Sequence, residues 1–222
     1  MTATHKAKQV LRKQIRSSLS KMTAQELTTQ SSQVFDNLFQ LPEYETSQSI
    51  GLFLSMPKGE IHTDDACNKI LQDGKSLFVP RCGLDFEQCD MDLIRVPLED
   101  VEKAQDSKTF YEDWPRNKWG IPEPPIDSKY HIAQPGDIDL LIVPGLGFDS
   151  KGGRLGQGKG YYDRFIQKMR DGVENTEGIP KKPVLVAVGL NPSFVSEGIP
   201  MAEHDFRMQK VCLPSQILNF KL

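Results

Sequence analysis

Residues 145–163 read Gly-Leu-Gly-Phe-Asp-Ser-Lys-Gly-Gly-Arg-Leu-Gly-Gln-Gly-Lys-Gly-Tyr-Tyr-Asp and directly follow the apolar run at 139–144. Seven of the chain's 17 glycines lie between Gly145 and Gly160. The basic residues interleaved with them are Lys151, Arg154 and Lys159. Glycine lets backbone amides approach a ligand closely, and cations beside such a loop suit a phosphate-bearing partner. The stretch therefore predicts a strand that leads into an anion-binding loop.

Strand and helix patterns alternate on both sides of this loop. Helical spacing and a capping box at Thr23 predict two helices before residue 42, and further helices are predicted at 63–74 and 161–170. Apolar runs predict strands at 49–54, 77–80, 90–96, 140–143, 184–188 and 211–213. Strands that alternate with helices predict an α/β fold with a mainly parallel central sheet.

Length and composition are those of a globular protein. The 222 residues fit a single domain, 1–222, and residues 97–136 are predicted to be a long functional or mobile loop, because they are rich in Pro, acidic residues and Trp. A net charge of −3 argues against a nucleic-acid binder. No apolar run reaches the roughly 20 residues of a membrane span. The four cysteines lack C-x-x-C spacing, which favours free thiols in a reducing compartment.

The N-terminus is basic, since no acidic residue precedes Glu26. Such a start is typical both of a mitochondrial transit peptide and of a basic helix that functions in the mature protein. Lys8 and Arg12 lie one turn apart on one helical face, which suits a shared anion, although basic faces of this kind are more often solvated. If these two side chains bind a ligand, cleavage beyond them would disable the protein, so a cytosolic location is expected and a mitochondrial one is the alternative.

Two familiar phosphate-binding templates fail on the glycine-rich stretch. The run from Gly153 to Lys159 satisfies G-x-x-x-x-G-K, but Gly160 stands where a P-loop needs Ser or Thr for magnesium. Gly145 and Gly147 begin a G-x-G-x-x-G pattern whose last position is Ser150, and no acidic residue follows about 20 residues later. The sequence therefore excludes both a P-loop NTPase and a Rossmann dehydrogenase.

Asp163 lies among these cations, where a carboxylate is useful only if a metal ion joins it. Magnesium is held by one or two carboxylates together with phosphate oxygens, so Asp163 is a candidate ligand. A solvated surface turn with Asp163 as a helix N-terminal charge is the alternative interpretation of the same residues.

The segment from Pro144 to Asp149, followed by Arg154 to Asp163, closely resembles the signature of 5-formyltetrahydrofolate cyclo-ligases, also called 5,10-methenyltetrahydrofolate synthetases. Further counterparts lie at 8–12, at 53–56 with Glu60, at 119–124 and at 203–205, so the resemblance follows the chain in order. It implies a three-layer α/β fold of the NagB/RpiA/CoA-transferase-like type, with helices flanking a mainly parallel sheet. It also implies ATP-dependent conversion of 5-formyltetrahydrofolate to 5,10-methenyltetrahydrofolate, with release of ADP and phosphate.

The resemblance also implies roles for individual residues. The expected ATP-binding residues are Lys8, Arg12, Arg154, Leu155, Gly156, Gln157, Gly158, Lys159, Gly160, Tyr161 and Tyr162. The expected catalytic residues are Arg154, Lys159 and Tyr162, and the expected Mg²⁺ ligands are Asp163 and Asp205. The expected folate contacts are Met56, Glu60, Tyr162 and Trp119, the last as a stacking partner. Gln157 departs from the family pattern, in which this position is often basic, and His204 receives no role.

Read without the resemblance, several of these residues have ordinary structural explanations. Met56 is predicted to pack in the core, Glu60 to be solvated, and Trp119 to anchor the long loop. Other functions also remain open: a non-catalytic folate- or nucleotide-binding protein, or a sugar-phosphate isomerase or coenzyme A transferase on the same fold. The expected partners are a small-molecule folate, with or without a polyglutamate tail, and neither nucleic acid nor membrane. A monomer is expected.

Overall fold

The computed structural model describes residues 3–57, 59–82, 90–103, 109–126, 130–174 and 182–221. The helices are α1 (Ala3–Leu19), α2 (Ala24–Phe39), α3 (Pro42–Thr46), α4 (Asp64–Gln72), α5 (Leu98–Lys103) and α6 (Tyr161–Glu174), with a short 3₁₀ turn at Asn191–Ser193. The strands are β1 (Ser49–Gly51), β2 (Ser76–Cys82), β3 (Met91–Arg95), β4 (Leu140–Val143), β5 (Gly147–Asp149), β6 (Arg154–Leu155), β7 (Val184–Val188), β8 (Phe194–Val195), β9 (Lys210–Leu213) and β10 (Gln216–Asn219).

Seven strands form the central sheet in the order β10-β9-β7-β4-β1-β2-β3. The five inner strands run parallel, and β3 and β10 close the two edges in antiparallel pairs. Because parallel strands are covered on both faces, the central strand β4 is apolar and buried at every position. The predicted α/β fold with a mainly parallel sheet is confirmed.

Side chains alternate between the two faces of this sheet and form a separate core on each. Leu140 and Ile142 of β4 pack into one core together with α2 and α4. Leu141 and Val143 pack into the other core, where α6 supplies Phe165 and the neighbouring apolar residues of its inner face. The helices therefore lie in two layers, one on each side of the sheet. No helix in the described part of the chain is both long and apolar enough to cross a membrane.

The two N-terminal helices begin and pack as the sequence predicts. Thr23 caps α2: its hydroxyl accepts from the backbone N–H of Glu26 at 3.1 Å, and the Glu26 carboxylate accepts from the backbone N–H of Thr23 at 2.8 Å. Ile15 is the buried apolar residue of α1 and packs with Leu146 and Leu155 beneath the glycine-rich stretch. Helix α1 therefore packs against the part of the chain that follows β4.

The strand predicted at 49–54 is shorter than expected. Strand β1 ends at Gly51, and the Leu52 N–H makes one more bond to the Phe78 carbonyl at 2.9 Å. The chain then leaves the sheet, and the Ser55 N–H and hydroxyl bond to the Thr63 hydroxyl at the start of α4. Residues 52–54 stay buried after leaving the sheet, and an apolar run does not reveal that difference.

The segment predicted as a loop at 97–136 is more ordered than expected in its described parts. It contains α5, which the sequence reading missed. Four aromatic side chains beyond α5 are buried, and Phe110 and Tyr130 each meet Trp114 edge to face, at ring distances of 5.4 and 6.4 Å. These rings join the core on the α2–α4 face of the sheet, so the segment is anchored by apolar packing despite its polar composition.

Candidate active site

The candidate site lies where the carboxyl ends of two neighbouring parallel strands meet. Strand β1 pairs with β4, and each strand is followed by a segment singled out in the sequence: Met56 and Glu60 after β1, and the glycine-rich stretch after β4. Both segments line one small pocket of about 30 Å³, with Met56 and Glu60 on one side and Gly145 and Gln157 on the other. The fold thus brings the expected folate-binding and phosphate-binding segments together.

The glycine-rich stretch is a small hairpin rather than an open loop. Strands β5 and β6 pair antiparallel, and β5 also pairs with β8, which gives a second sheet of three strands. Close packing accounts for some of the glycines: a Cβ at Gly147 would lie 2.7 Å from Cδ1 of Ile15 in α1. Gly158 and Gly160 have φ angles of 104° and 75°, which L-residues rarely adopt, and they shape the turn that leads into α6.

Asp149 holds this hairpin in shape, and sequence reasoning assigned it no role. The residue is 2% exposed, and its carboxylate accepts backbone N–H groups from Lys151, Gly153 and Ile199, each at 2.8 Å. An aspartate that bonds to the backbone two residues on forms an Asx turn. The Asp-Ser-Lys-Gly-Gly sequence at 149–153 is typical of such a turn.

Helix α1 supplies basic side chains to the hairpin. The Lys8 ammonium forms an ion pair with Asp205. Arg12 donates from Nε to the Gly156 carbonyl at 2.9 Å, and Arg16 donates from a terminal guanidinium nitrogen to Oε1 of Gln157 at 2.7 Å. The structure therefore brings Arg12 and Arg16 to the glycine-rich stretch and places Lys8 against Asp205.

Each expected Mg²⁺ ligand is paired with an expected phosphate-binding cation. Arg154 donates to Asp163 at 2.7 Å, and their side chains are 5% and 19% exposed. Asp205 pairs with Lys8 and also accepts from the Ala202 N–H at 2.5 Å. Burial alone would raise the pKa of Asp205, but the bonds from Ala202 and Lys8 outweigh burial and lower it.

The two carboxylates suit a hard cation, because Mg²⁺ takes oxygen ligands and commonly uses only one or two carboxylates. The segment that carries Asp205 lies beside Asp163: the N–H of Phe206, the residue after Asp205, is 3.5 Å from Oδ1 of Asp163. Among the residues that the structure describes, no group of three or more His, Cys, Asp or Glu side chains could hold a metal. Substrate oxygens would have to complete such a site.

Tyr162 lies between the folate and phosphate segments. Its hydroxyl is buried and has no hydrogen-bond partner among the described residues. Burial, followed by the nearby Glu60 carboxylate, raises the pKa of Tyr162. The Arg154 guanidinium lies 5.9 Å from the centre of the Tyr162 ring, and Nε of Arg154 is also buried without a partner in the described chain. Two unsatisfied donors therefore lie at the centre of the site.

Glu60 is half-buried and turns back toward its own segment. Its carboxylate accepts from the Met56 N–H at 2.8 Å. Burial raises the pKa of Glu60 to about 7, and the bond from Met56 lowers it only in part. Glu60 is therefore poised between its acid and carboxylate forms near neutral pH.

Trp119 packs beside this segment and is 37% exposed. Its ring meets Tyr161 edge to face at 6.4 Å, and the Lys118 ammonium lies 4.6 Å from its centre. A Cβ at the neighbouring Gly120 would lie 3.1 Å from Pro57, the residue after Met56. Trp119 therefore lies against Tyr161, the residue before Tyr162, while its neighbour Gly120 lies near Pro57.

The remaining expected ATP-binding residues differ in exposure. Lys159 is exposed, and its carbonyl accepts from Arg164 at 2.7 Å. The Leu155 side chain is fully buried and its carbonyl bonds to the Leu146 N–H, so Leu155 shapes the hairpin from within the core. His204 is exposed beside Asp205.

A larger cleft of about 700 Å³ opens on the other side of Met56. Its walls come from the segment at 54–57, the start of α4 and the long loop at 109–122. They carry charges of both signs, from Arg116 and from Glu112 and Asp64, and His62 also lines the cleft. The Tyr111 hydroxyl donates to Asp64, and Asp64, Glu112 and Arg116 are all exposed charges of the cleft.

Comparisons with known proteins identify the family of the chain. A family model described as the 5-formyltetrahydrofolate cyclo-ligase family matches residues 4–214. A probable 5-formyltetrahydrofolate cyclo-ligase of Schizosaccharomyces pombe is 30% identical over 215 residues, covering 96% of this chain and 97% of that protein. The 5-formyltetrahydrofolate cyclo-ligase of Mus musculus is 31% identical over 206 residues, covering 92% of both.

The fold also matches a solved structure. The 5,10-methenyltetrahydrofolate synthetase of Aquifex aeolicus superposes with a TM-score of 0.72 at 24% identity, covering 97% of this chain and 93% of that one. At this identity the match establishes the fold alone. Together with the sequence matches, which span nearly the whole chain, it leads to one assignment: the chain belongs to the 5-formyltetrahydrofolate cyclo-ligase family.

Proposed function

We propose that this protein is a 5-formyltetrahydrofolate cyclo-ligase that uses MgATP to make 5,10-methenyltetrahydrofolate, ADP and phosphate. The observation that carries the proposal is the meeting of two half-sites at Tyr162. Glu60 of the folate segment and Arg154 of the phosphate hairpin both lie close to this residue. We further propose that residues 1–222 work as one domain and as a monomer.

The reaction needs two things that such a site supplies. A formamide oxygen is a poor leaving group, so it first attacks the terminal phosphorus of ATP, and ADP departs. The N10 nitrogen then bonds to the activated formyl carbon, phosphate leaves with the former formyl oxygen, and the N10 proton is lost. Both steps depend on alignment and on stabilisation of the charge that develops on phosphate oxygens.

Arg154 and Lys159 fit the phosphate role for different reasons. The Arg154 guanidinium is buried and fixed by the Pro144 carbonyl at 3.2 Å and by Asp163, so it is held in position before substrate arrives. Lys159 is exposed on a turn between two positive-φ glycines and can follow the transferred phosphate. Lys8 and Arg12 would bind the phosphates from the α1 side.

Asp163 and Asp205 would hold Mg²⁺ together with substrate phosphate oxygens. Bound there, the ion would neutralise phosphate charge and bring the terminal phosphate into line. Binding requires each carboxylate to exchange its present cation for the metal, while Lys8 and Arg154, the latter still held by the Pro144 carbonyl, bond to phosphate instead.

Glu60 and the unpaired Tyr162 hydroxyl would recognise the folate. A pterin ring presents a row of N–H donors, which a carboxylate accepts well. The pocket of about 30 Å³ beside Glu60 is too small for a pterin, so Met56 and the loop that carries Trp119 must shift, or the ring must enter from the cleft of about 700 Å³. That cleft has room for the benzoyl-glutamate portion.

The test is to mix the purified protein with 5-formyltetrahydrofolate and MgATP, and to follow methenyl-folate by absorbance together with ADP release. Equal amounts of both products are expected, and neither without ATP. Binding of both ligands by a folded sample without methenyl product would instead favour the alternative, a non-catalytic folate- or nucleotide-binding protein.

The proposed location is the cytosol. Helix α1 contributes Lys8 and Arg12 to the site, which supports residues 3–19 as part of the working enzyme rather than a removed mitochondrial transit peptide.

A further inference from the structure

Helix α1 carries three basic residues at a spacing of four: Lys8, Arg12 and Arg16. Residues four apart lie one above the other on a helix, so the three side chains form a row. The row runs along the hairpin, since Arg12 bonds to Gly156 and Arg16 to Gln157. The third member, Arg16, has no role in the site described so far.

Two of the three charges in this row have no carboxylate partner among the residues that the structure describes. Lys8 has a carboxylate partner in Asp205. Arg12 and Arg16 instead contact a carbonyl oxygen and a neutral amide, and no acidic residue lies within α1. Burial and then the neighbouring Arg16 charge lower the pKa of Arg12, and Asp205 offsets this only in part. Two close guanidinium groups over a glycine-rich turn form a place where an anion would be stabilised.

Gln157 fixes the position of Arg16 while leaving most of its donors available. The bond from Arg16 to Oε1 of Gln157 uses one of the five N–H donors of the guanidinium. Gln157 is part of the turn, between Gly156 and Gly158, and the Arg12 guanidinium lies against Gly158, 3.2 Å from where a Cβ would be. The end of Arg16 is therefore held at the same turn as Arg12.

We propose that Arg16 is a phosphate-binding residue of the nucleotide site, held over the glycine-rich turn by Gln157. The inference rests on the proposed function, because the anion it assigns is the triphosphate of the substrate nucleotide. The neutral Gln157 acts as a positioning residue, and the cation for this part of the turn comes from the neighbouring helix. A cation placed at position 157 itself would reach the same phosphate.

The competing explanation is a solvated surface contact, since both side chains are exposed. Exposed pairs of this kind usually contribute little. The two explanations differ in what they predict for nucleotide affinity, which a surface contact would leave unchanged.

The experiment measures the Kd of a non-hydrolysable ATP analogue with Mg²⁺ by calorimetry, with folding checked by circular dichroism. We expect Arg16→Gln to weaken binding about 5- to 20-fold, as for loss of one charge-assisted hydrogen bond. The matched control is Lys13→Gln, an exposed basic residue of α1 outside the row, which should change Kd less than about twofold.

A rescue variant tests whether cations at positions 16 and 157 bind the same phosphate. In the Arg16→Gln background, Gln157→Arg returns a cation to the turn and should restore most of the lost affinity. Loss without rescue would overturn the claim that positions 16 and 157 serve one phosphate.

The outcome for Arg12→Gln separates this inference from the proposed function. If Arg12→Gln weakens binding while Arg16→Gln behaves like Lys13→Gln, Arg16 is a surface residue and the inference is wrong. If Arg12→Gln, Arg16→Gln and Lys159→Gln all bind like the unmodified protein, the nucleotide does not bind at this turn and the proposed function fails as well.

Discussion

The ion pair between Arg154 and Asp163 gives the most quantitative prediction. Replacing Asp163 by Asn keeps the side-chain shape but removes the charge opposite a guanidinium that is 5% exposed. Arg154 would retain the Pro144 carbonyl, and its Nε already lacks a partner in the described chain. Breaking a buried pair on one side costs about 3–5 kcal/mol, and the amide oxygen of Asn, which still accepts a hydrogen bond, reduces the expected loss to about 2–3 kcal/mol.

Urea unfolding followed by fluorescence measures this loss. With a slope of about 3 kcal/mol per molar urea for a chain of this size, the midpoint should fall by roughly 0.7–1 M. The matched control is the exposed pair of Lys168 and Asp92, 3.2 Å apart with side chains 58% and 32% exposed. Asp92→Asn should cost less than about 0.5 kcal/mol. Equal losses for the two variants would refute the claim that Asp163 compensates a buried charge.

Three further predictions concern single residues. The raised pKa of Glu60, about 7 in the folded protein, lies above the unfolded value of about 4.3, so this carboxyl opposes folding increasingly as pH rises between them. Glu60→Gln should therefore gain stability relative to the parent from pH 5 to 7 in thermal melts, and should bind folate more weakly with nucleotide affinity unchanged; a stability difference independent of pH would contradict the assignment. Lys159→Met should lower turnover roughly 100-fold, as for loss of one group that stabilises the transition state, while the free energy of unfolding stays within about 0.5 kcal/mol because the residue is exposed. Turnover like that of the parent enzyme would exclude a catalytic Lys159. Asp149→Ala leaves three backbone N–H groups without an acceptor and should cost about 3–5 kcal/mol in urea unfolding, and a loss below about 1 kcal/mol would show that the hairpin holds its shape without it.

The sequence predicted most of the sheet because its signals are local. The capping box at Thr23 and the apolar run of β4 each follow from a few neighbouring residues, and both are observed. The hairpin β5–β6 was missed because glycine weakens any strand pattern, and its strands are stabilised by contacts to α1 and β8 that are distant in sequence. Helix α5 was missed because its charged residues look like those of the surrounding loop.

The sequence predicted a set of site residues but did not predict the ion pairs between them. Asp163 and Asp205 were expected to serve a metal, and Arg154 and Lys8 a phosphate. No sequence pattern indicates that each carboxylate is bonded to one of the cations, and the partners of the Lys8–Asp205 pair lie 197 positions apart. The role of Asp149, in contrast, depends on a local pattern, because an Asx turn involves only neighbouring residues. It was missed because the glycines around Asp149 were attributed to ligand binding.

These pairings have a consequence for how the site must work. Unpaired buried charges are costly, so an empty site that held free cations and free carboxylates would destabilise the fold. The pairs Arg154–Asp163 and Lys8–Asp205 avoid that cost by matching each proposed phosphate cation to a proposed metal ligand. If phosphate arrived alone, it would release two carboxylates without a partner, and a metal ion arriving alone would release two cations. When metal and phosphate bind together, the carboxylates pair with the metal and the cations pair with phosphate, so no charge is left without a partner. Substrate should therefore bind as the metal–nucleotide complex. The Asp163→Asn variant should accordingly recover part of its lost stability when a nucleotide gives Arg154 a new anionic partner.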